Sequence, residues 1–110
     1  MIPEPKWIGS DALRLLHSQQ LERFGGLGGV LDENVVESAL ARPRNLYGYR
    51  DGVELADLAA AYLWGLARTQ GFADGNKRTA LAAMLVFLHI NGQPLHVPPA
   101  ELYRIALDVA

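Results

Sequence analysis

Hydrophobic residues recur along this chain at intervals of three and four positions, which predicts helices rather than strands. One apolar stripe, between about Glu54 and Arg68, is formed by Leu55, Leu58, Ala59, Tyr62 and Leu66. A second apolar face, between Asn76 and Asn91, contains Leu81, Met84, Leu85 and Leu88. No stretch alternates with a period of two for long enough to predict a strand. The expected fold class is therefore all-α.

Residues with strong end preferences predict where these helices begin and end. Ser10 is a good N-cap for a first helix over about residues 11–24. Gly25 is expected to end that helix, because glycine adopts the left-handed conformation without strain. Gly92 and Pro94 are expected to stop the helix that contains the second apolar face.

The region between the first helix and the first apolar stripe predicts one more helix and a loop. Asp32 can cap a helix over about residues 33–41, and Pro43 is expected to prevent its continuation. Residues 44–52 are expected to form a loop or a short hairpin. Pro98 can open a last helix near the end of the chain. The pattern thus predicts a bundle of about five helices, with the two apolar stretches at its centre.

Composition limits the class of protein further. The chain has 110 residues, half of them hydrophobic, a formal charge of −2 and no cysteine. This size suits one domain spanning residues 1–110 with a single core. The charge gives no reason to expect direct nucleic-acid binding, and the lack of cysteine excludes disulfides and fits a reducing cytoplasm. No signal-peptide pattern follows Met1, and the longest apolar run, over residues 81–90, is about half a membrane span. We therefore expect a cytoplasmic protein without membrane contact.

The junction between the two central helices carries the clearest chemical signal. Residues 72–79 read F-A-D-G-N-K-R-T, which puts Lys77 and Arg78 in the first turn of a predicted helix. The helix dipole makes that an unfavourable place for cations by about 0.3–1 kcal/mol each, so two of them favour a bound anion. The unpaired N–H groups of a helix start also bind anions. Asp74 adds a carboxylate of the kind that binds magnesium. Together, the two cations, the helix start and this carboxylate predict a site for a nucleoside triphosphate.

Four nearby residues have simpler interpretations. Asn76 is a common helix-capping residue, and it is expected both to cap the helix and to shape the anion site. Phe72 is expected to anchor the loop to the bundle, and Thr79 to fill space. His17 falls on the apolar side of the first helix and is expected at the rim of the core.

The run from Gln70 to Thr79 reads Q-G-F-A-D-G-N-K-R-T and resembles the Fic/Doc family loop, roughly H-x-F-x-D/E-G/A-N-G/K-R. The similarity extends to the glycine-rich residues 23–29, to residues 37–43 and to residues 57–68. The resemblance implies a compact Fic-type bundle of five to six helices, with this loop between the central two and the last helix shortened. It also implies ATP and Mg²⁺ as ligands, with Asp74 on the metal. The implied phosphate-binding residues are Gly75, Asn76, Lys77 and Arg78.

Two departures from the family pattern bear on catalysis. Gln70 stands where the family has the histidine that acts as general base on the acceptor hydroxyl. Because an amide cannot accept a proton near neutral pH, its presence is expected to lower the rate by about 10²–10⁴-fold. Lys77 and Leu81 stand where AMP-transferring members have glycine and a second arginine. The resemblance to Doc-type members implies that ATP binds in the reverse orientation, with Lys77 blocking AMP transfer, so that the γ-phosphate faces the acceptor.

The resemblance also implies a biological role. The active parent would be the toxin of a bacterial toxin–antitoxin pair, a kinase-like transferase that phosphorylates a hydroxyl on elongation factor Tu and so stops translation. A cognate antitoxin would bind it. Tyr47 and Tyr49 fall in the segment that corresponds to the family's target-docking flap, although packing of a loop explains these aromatic residues equally well. In the Gln70 form, transfer is expected to be very slow or absent.

Other functions stay open at this point. An AMP transferase is the second enzyme hypothesis, against which Lys77 and Leu81 argue. A non-catalytic module that keeps nucleotide or antitoxin binding is the third. A helix-turn-helix DNA binder is supported only by the glycine-rich turn after the first helix. The sequence does not decide whether Gln70 is native or an inactivating substitution.

Overall fold

The computed structural model of this chain describes residues 2–30 and 32–94. In chain order its helices are α1 (Ser10–Phe24), α2 (Glu33–Tyr49), α3 (Leu55–Arg68) and α4 (Asn76–Ile90). The central pair is α3 and α4; α2 packs on α3, and α1 packs mainly on α4. The all-α prediction is confirmed, with four helices in the described part of the chain. The helix predicted from Pro98 lies outside the described residues.

The two apolar stripes predicted from sequence meet in the core. In α3, Leu58, Tyr62 and Leu66 are buried, and in α4 Phe87 is fully buried with its ring centroid 5.0 Å from that of Tyr62. Each such side chain contributes about 1.5–3 kcal/mol by leaving water. Burial extends almost around α4, through Thr79, Ala80, Leu81, Ala83, Met84 and Leu88. The N-terminal end of α4, beside which the candidate site lies, is therefore fixed in place by the buried side chains of the same helix.

The predicted helix ends are confirmed at two positions and shifted at a third. Gly25 ends α1 at a φ of 78°, a conformation that suits glycine. Asp32 caps α2 by accepting from the backbone N–H groups of Asn34 and Val35. The N-cap of α1 is Gly9, and the predicted cap Ser10 is instead its first helical residue.

The prediction that Pro43 ends α2 is wrong, because the helix continues through it to Tyr49. A proline inside a helix costs about 3 kcal/mol, and tertiary packing offsets that cost here. Pro43 is itself fully buried. Beyond it, the Tyr47 ring packs edge-on against Trp7, and its hydroxyl donates to the carbonyl of Ile2 at 2.9 Å. The loop or hairpin predicted for residues 44–52 is therefore mostly helix.

An extended segment before α1 closes the far end of the bundle. The Lys6 backbone exchanges two hydrogen bonds with the side chain of Asn91, at the end of α4. The ring of Trp7 stacks on Phe87 with centroids 6.0 Å apart. The hydroxyl of Tyr62 accepts the Ile8 N–H at 2.9 Å. Across the described ranges, the structure contains no helix with the length and apolar character to cross a bilayer.

Tyr62→Phe is expected to lower stability near neutral pH and to flatten its alkaline decline. Burial raises the pKa of Tyr62 above its ordinary value of 10.0. Because the folded state then holds the proton more tightly than the unfolded chain, Tyr62 makes the stability fall as pH rises above about 10. The variant loses this term, and it leaves the Ile8 N–H without its acceptor, at a cost of about 1–3 kcal/mol.

The measurement is the urea midpoint of both proteins between about pH 8 and pH 11. Tyr49→Phe is the control. Tyr49 is 77% exposed, so its hydroxyl stays in contact with water in the folded protein and its removal is expected to change the stability little. Alkaline curves that run parallel for the parent protein and Tyr62→Phe would contradict the assignment.

Candidate functional site

The candidate site is built on residues 69–75, which connect α3 to α4 and are called the motif loop below. A second irregular segment, residues 25–30, lies beside it and is called the glycine segment. The two segments pair through a single antiparallel bridge between Val30 and Phe72, and the Ala73 N–H donates to the Gly29 carbonyl at 3.1 Å. The motif loop is therefore held by backbone contacts as well as by its own side chains.

The start of α2 supports the loop from the other side. The Gly71 carbonyl accepts the backbone N–H of Asp32 at 3.2 Å. A Cβ atom on Gly71 would lie 2.5 Å from a methyl carbon of Val36, so only glycine allows this close approach. Phe72, the predicted anchor, is buried.

The side chain of Asn76 fixes the shape of the loop. Its carboxamide oxygen accepts the Phe72 N–H at 3.1 Å, and its nitrogen donates to the Phe72 carbonyl at 3.0 Å. The expectation that Asn76 caps α4 is wrong, because Gly75 occupies the N-cap with a φ of 76° and Asn76 is the first helical residue. Gly75 has no side chain, so no side-chain cap covers the first amides of α4. This leaves a helix start of the kind that binds anions.

The carboxylate of Asp74 faces the glycine segment. One oxygen accepts the Gly75 N–H at 2.8 Å, and the other accepts the Leu27 N–H at 3.3 Å. Gly26 lies directly beside it: a Cβ atom there would be 2.7 Å from that second oxygen, and its φ is +126°. The absence of a side chain at Gly26 thus allows the Asp74 carboxylate to approach the glycine segment closely.

Asp74 suits a magnesium ion that is held mainly by the phosphates of its ligand. The residue is exposed, and one backbone bond on each oxygen leaves further lone pairs available. Magnesium commonly takes one or two carboxylates together with substrate phosphates. Residues 2–30 and 32–94 contain no group of three or more His, Cys, Asp or Glu that could hold a metal by themselves.

The two cations of the motif differ in environment. Arg78 is half-buried, donates to the Gly25 carbonyl at 3.2 Å and lies with its guanidinium carbon 5.6 Å from the Phe24 ring centroid. Lys77 is exposed. Asp74 and Arg78 therefore both approach the glycine segment, while Asn76 turns back into the loop.

The remaining predicted residues lie in two separate places. Gln70 is exposed on the motif loop, two residues after the end of α3. Tyr47 is three helical turns beyond Val36 on α2, which is about 16 Å at 1.5 Å per residue. It packs on Trp7, and Tyr49 lies further along and is exposed. The structure does not bring these two tyrosines to the motif loop, and their role in docking a target stays a prediction.

Sequence reasoning missed the part that His17 plays in this site. His17 is only 5% exposed, as expected for the rim of the core, but it packs on the motif loop. Its ring stacks on Phe72, and its Nε2 lies 2.7 Å from the Asp74 carbonyl oxygen. The available signal was a histidine at an apolar position of α1, seven residues before the last residue of that helix, Phe24.

Gly26→Ala is expected to displace the Asp74 carboxylate, whereas Gly29→Ala is expected to leave it in place. Both glycines have positive φ, +126° and +109°, so both substitutions carry backbone strain of about 1–3 kcal/mol. Only at Gly26 does the added carbon meet Asp74, because nothing lies within 4 Å of a Cβ at Gly29. The backbone amide chemical shift of Gly75, which is far in sequence from both substitutions, reports the displacement. Equal shifts in the two variants would contradict it.

Most of this chain is similar to known proteins. Residues 7–88 match the Fic/DOC family. The protein named Protein kinase doc, of Escherichia phage P1, is 38% identical over 103 residues, which cover 94% of this chain and 81% of that protein. The protein named Toxin Doc, of Mycolicibacterium smegmatis, is 49% identical over 73 residues, which cover 66% of this chain and 56% of that protein.

Proposed function

Since this chain belongs to the Fic/DOC family, we propose that it is the toxin of a bacterial toxin–antitoxin pair. Two relatives support the proposal by their names, one as a toxin and the other as a protein kinase. The activity proposed for a form with histidine at position 70 is transfer of the γ-phosphate of ATP to a hydroxyl on a protein. In this form, with Gln70, transfer is very slow or absent.

The observation that carries the proposal is the uncapped start of α4 beside Asp74 and Arg78. The first-turn amides and Lys77 offer positive charge to the phosphates of a nucleotide. Arg78 adds a planar guanidinium, which binds phosphate through two parallel hydrogen bonds. A magnesium ion on Asp74 would neutralise further phosphate charge. Phosphoryl transfer depends mainly on positioning of the phosphates and stabilisation of their charge. The proposed contribution of these residues is to supply both.

Lys77 stands where AMP-transferring members have glycine, and by the resemblance to Doc-type members it favours phosphate transfer over AMP transfer. In the reaction we propose, the bond between the γ-phosphorus and its bridging oxygen breaks, ADP leaves, and a new bond joins phosphorus to the acceptor oxygen. The hydroxyl proton needs an acceptor as that bond forms. By the resemblance, Gln70 stands where family members have that base. Its side chain is exposed, and its amide cannot take the proton near neutral pH. A non-catalytic module that binds nucleotide is the second candidate, and Gln70 is the observation that favours it.

The proposed substrate is elongation factor Tu, which leads to arrested translation. The proposed partner is a cognate antitoxin that binds the toxin as a segment folding on its surface. Both come from the resemblance to Doc-type members.

Labelled ATP distinguishes the candidate functions. The Gln70→His protein is incubated with elongation factor Tu, magnesium and ATP labelled on either the γ- or the α-phosphorus. Label from the γ-position alone on the factor supports the kinase. Label from the α-position means AMP transfer, and ATP binding without either label supports the non-catalytic module. Absence of ATP binding as well would contradict the nucleotide site itself.

A further inference from the structure

We propose that His17 is a positioning residue of the nucleotide site: it holds the motif loop so that Asp74 and the first amides of α4 face the phosphates. The inference rests on the proposed function for its ligand. His17 belongs to α1, far from the motif loop in sequence, and it lies against three positions of that loop. These are the Phe72 ring, the Asp74 carbonyl and the backbone of Gly75.

The first contact is an aromatic stack. The rings of His17 and Phe72 lie 3.9 Å apart at their centroids, with an angle of 13° between their planes. Both side chains are buried, at 5% and 3% exposure. This stack connects α1 to the anchor of the motif loop.

The second contact is a hydrogen bond that fixes the proton on His17. Its Nε2 is 2.7 Å from the carbonyl oxygen of Asp74. A carbonyl oxygen only accepts, so Nε2 must carry the hydrogen and donate it. The Nε2 atom is therefore occupied by the backbone and is not available to accept a proton.

The third contact is between the imidazole edge of His17 and the backbone at Gly75. A Cβ atom on Gly75 would lie 3.7 Å from the Cδ2 carbon of His17, which shows how closely the imidazole edge follows the backbone. The bond from His17 fixes one end of the peptide group that joins Asp74 to Gly75. The other end of that peptide, the Gly75 N–H, donates to the Asp74 carboxylate at 2.8 Å. Orientation of this peptide thus sets the direction of the carboxylate and the entry into α4.

Two substitutions separate the two contacts. His17→Phe keeps a ring for stacking on Phe72 but removes the donor. His17→Gln removes the ring but keeps an N–H donor at a comparable reach from the backbone. If the hydrogen bond positions the loop, His17→Phe weakens ATP binding by up to about tenfold, the equivalent of one net hydrogen bond, and His17→Gln restores much of it.

Amide hydrogen exchange tests the same claim without any nucleotide. The Gly75 N–H is expected to exchange about tenfold faster in His17→Phe than in the parent protein, because one hydrogen bond no longer orients its peptide. His89→Phe is the control, since His89 is exposed in the last turn of α4. Binding of Mg²⁺–ATP is measured by titration calorimetry in the same variants, well below their unfolding temperatures.

The two readouts keep this inference separate from the proposed function. If no form binds ATP but Gly75 exchange still accelerates in His17→Phe, the nucleotide proposal fails and the positioning of the loop by His17 stands. If His17→Phe lowers only the unfolding temperature, with Gly75 exchange and ATP affinity unchanged, His17 is merely structural and the inference is overturned. Equal loss in His17→Phe and His17→Gln also overturns the role of the hydrogen bond.

Discussion

Gln70→His is expected to raise the rate of phosphate transfer by about 10²–10⁴-fold, the usual contribution of a general base. Imidazole has an ordinary pKa of about 6.5, so it accepts a proton near neutral pH where the glutamine amide does not. Position 70 is exposed on the motif loop, so a histidine there requires no burial of charge. The measurement is the single-turnover rate on the proposed substrate, elongation factor Tu, with γ-labelled ATP.

Two variants control for effects of the substitution itself. Gln70→Ala is expected to remain at the rate of the Gln70 form, since neither side chain accepts a proton. Gln19→His adds a histidine at an exposed position of α1 and is expected to change nothing. In cells, only Gln70→His should arrest growth, and expression of the antitoxin should reverse the arrest. A rate for Gln70→His no higher than that of Gln70→Ala would contradict the role of position 70.

Features that depend on nearby residues were predictable from the sequence. The apolar stripes of α3 and α4 follow from their 3.6-residue periodicity, and both helices were predicted to within one residue at each end. Asp32 caps α2 through its own next neighbours, and Gly25 ends α1 with its own backbone conformation. In each case the stabilising partner lies within a few positions along the chain.

Features that depend on distant residues were missed. Pro43 is a strong local stop signal, but the packing of Tyr47 on Trp7 keeps α2 helical beyond it. Local reasoning assigned Asn76 to the cap of α4, whereas its carboxamide bonds the backbone of Phe72. Both errors arise because local propensity is a weak preference that tertiary contacts override.

The candidate site likewise has one part that was predictable from nearby residues and one part that depends on distant residues. Residues 74–78 carry their chemistry in one continuous run, so the sequence alone identified them as a candidate anion site. The partners that orient them come from elsewhere: Gly25 for Arg78, Leu27 for Asp74, and His17 for the loop backbone. These partners lie about 50 residues or more from the loop along the chain. The hydrophobic periodicity within one helix does not predict contacts over such a distance.

Arg78→Ala is expected to lower phosphate transfer by the Gln70→His protein by about 10²–10³-fold, the usual cost of removing one donor from a site of developing charge. Arg78 is in the first turn of α4, and its half-buried guanidinium approaches the glycine segment beside Asp74. A guanidinium binds phosphate through a fixed fork that a lysine lacks. Arg78→Lys is therefore expected to recover only part of the rate.

Arg23→Ala is the matched control for the loss of packing. Both guanidiniums lie over the ring of Phe24, at 5.8 Å for Arg23 and 5.6 Å for Arg78, but Arg23 is exposed in the last turn of α1. Loss of a cation over this ring costs about 0.5–1 kcal/mol of stability at an exposed site, and Arg23→Ala should show that loss with its transfer rate unchanged. If both variants lower the rate equally, Arg78 acts by packing on Phe24. A rate lowered only in Arg78→Ala means that its charge acts on the phosphate.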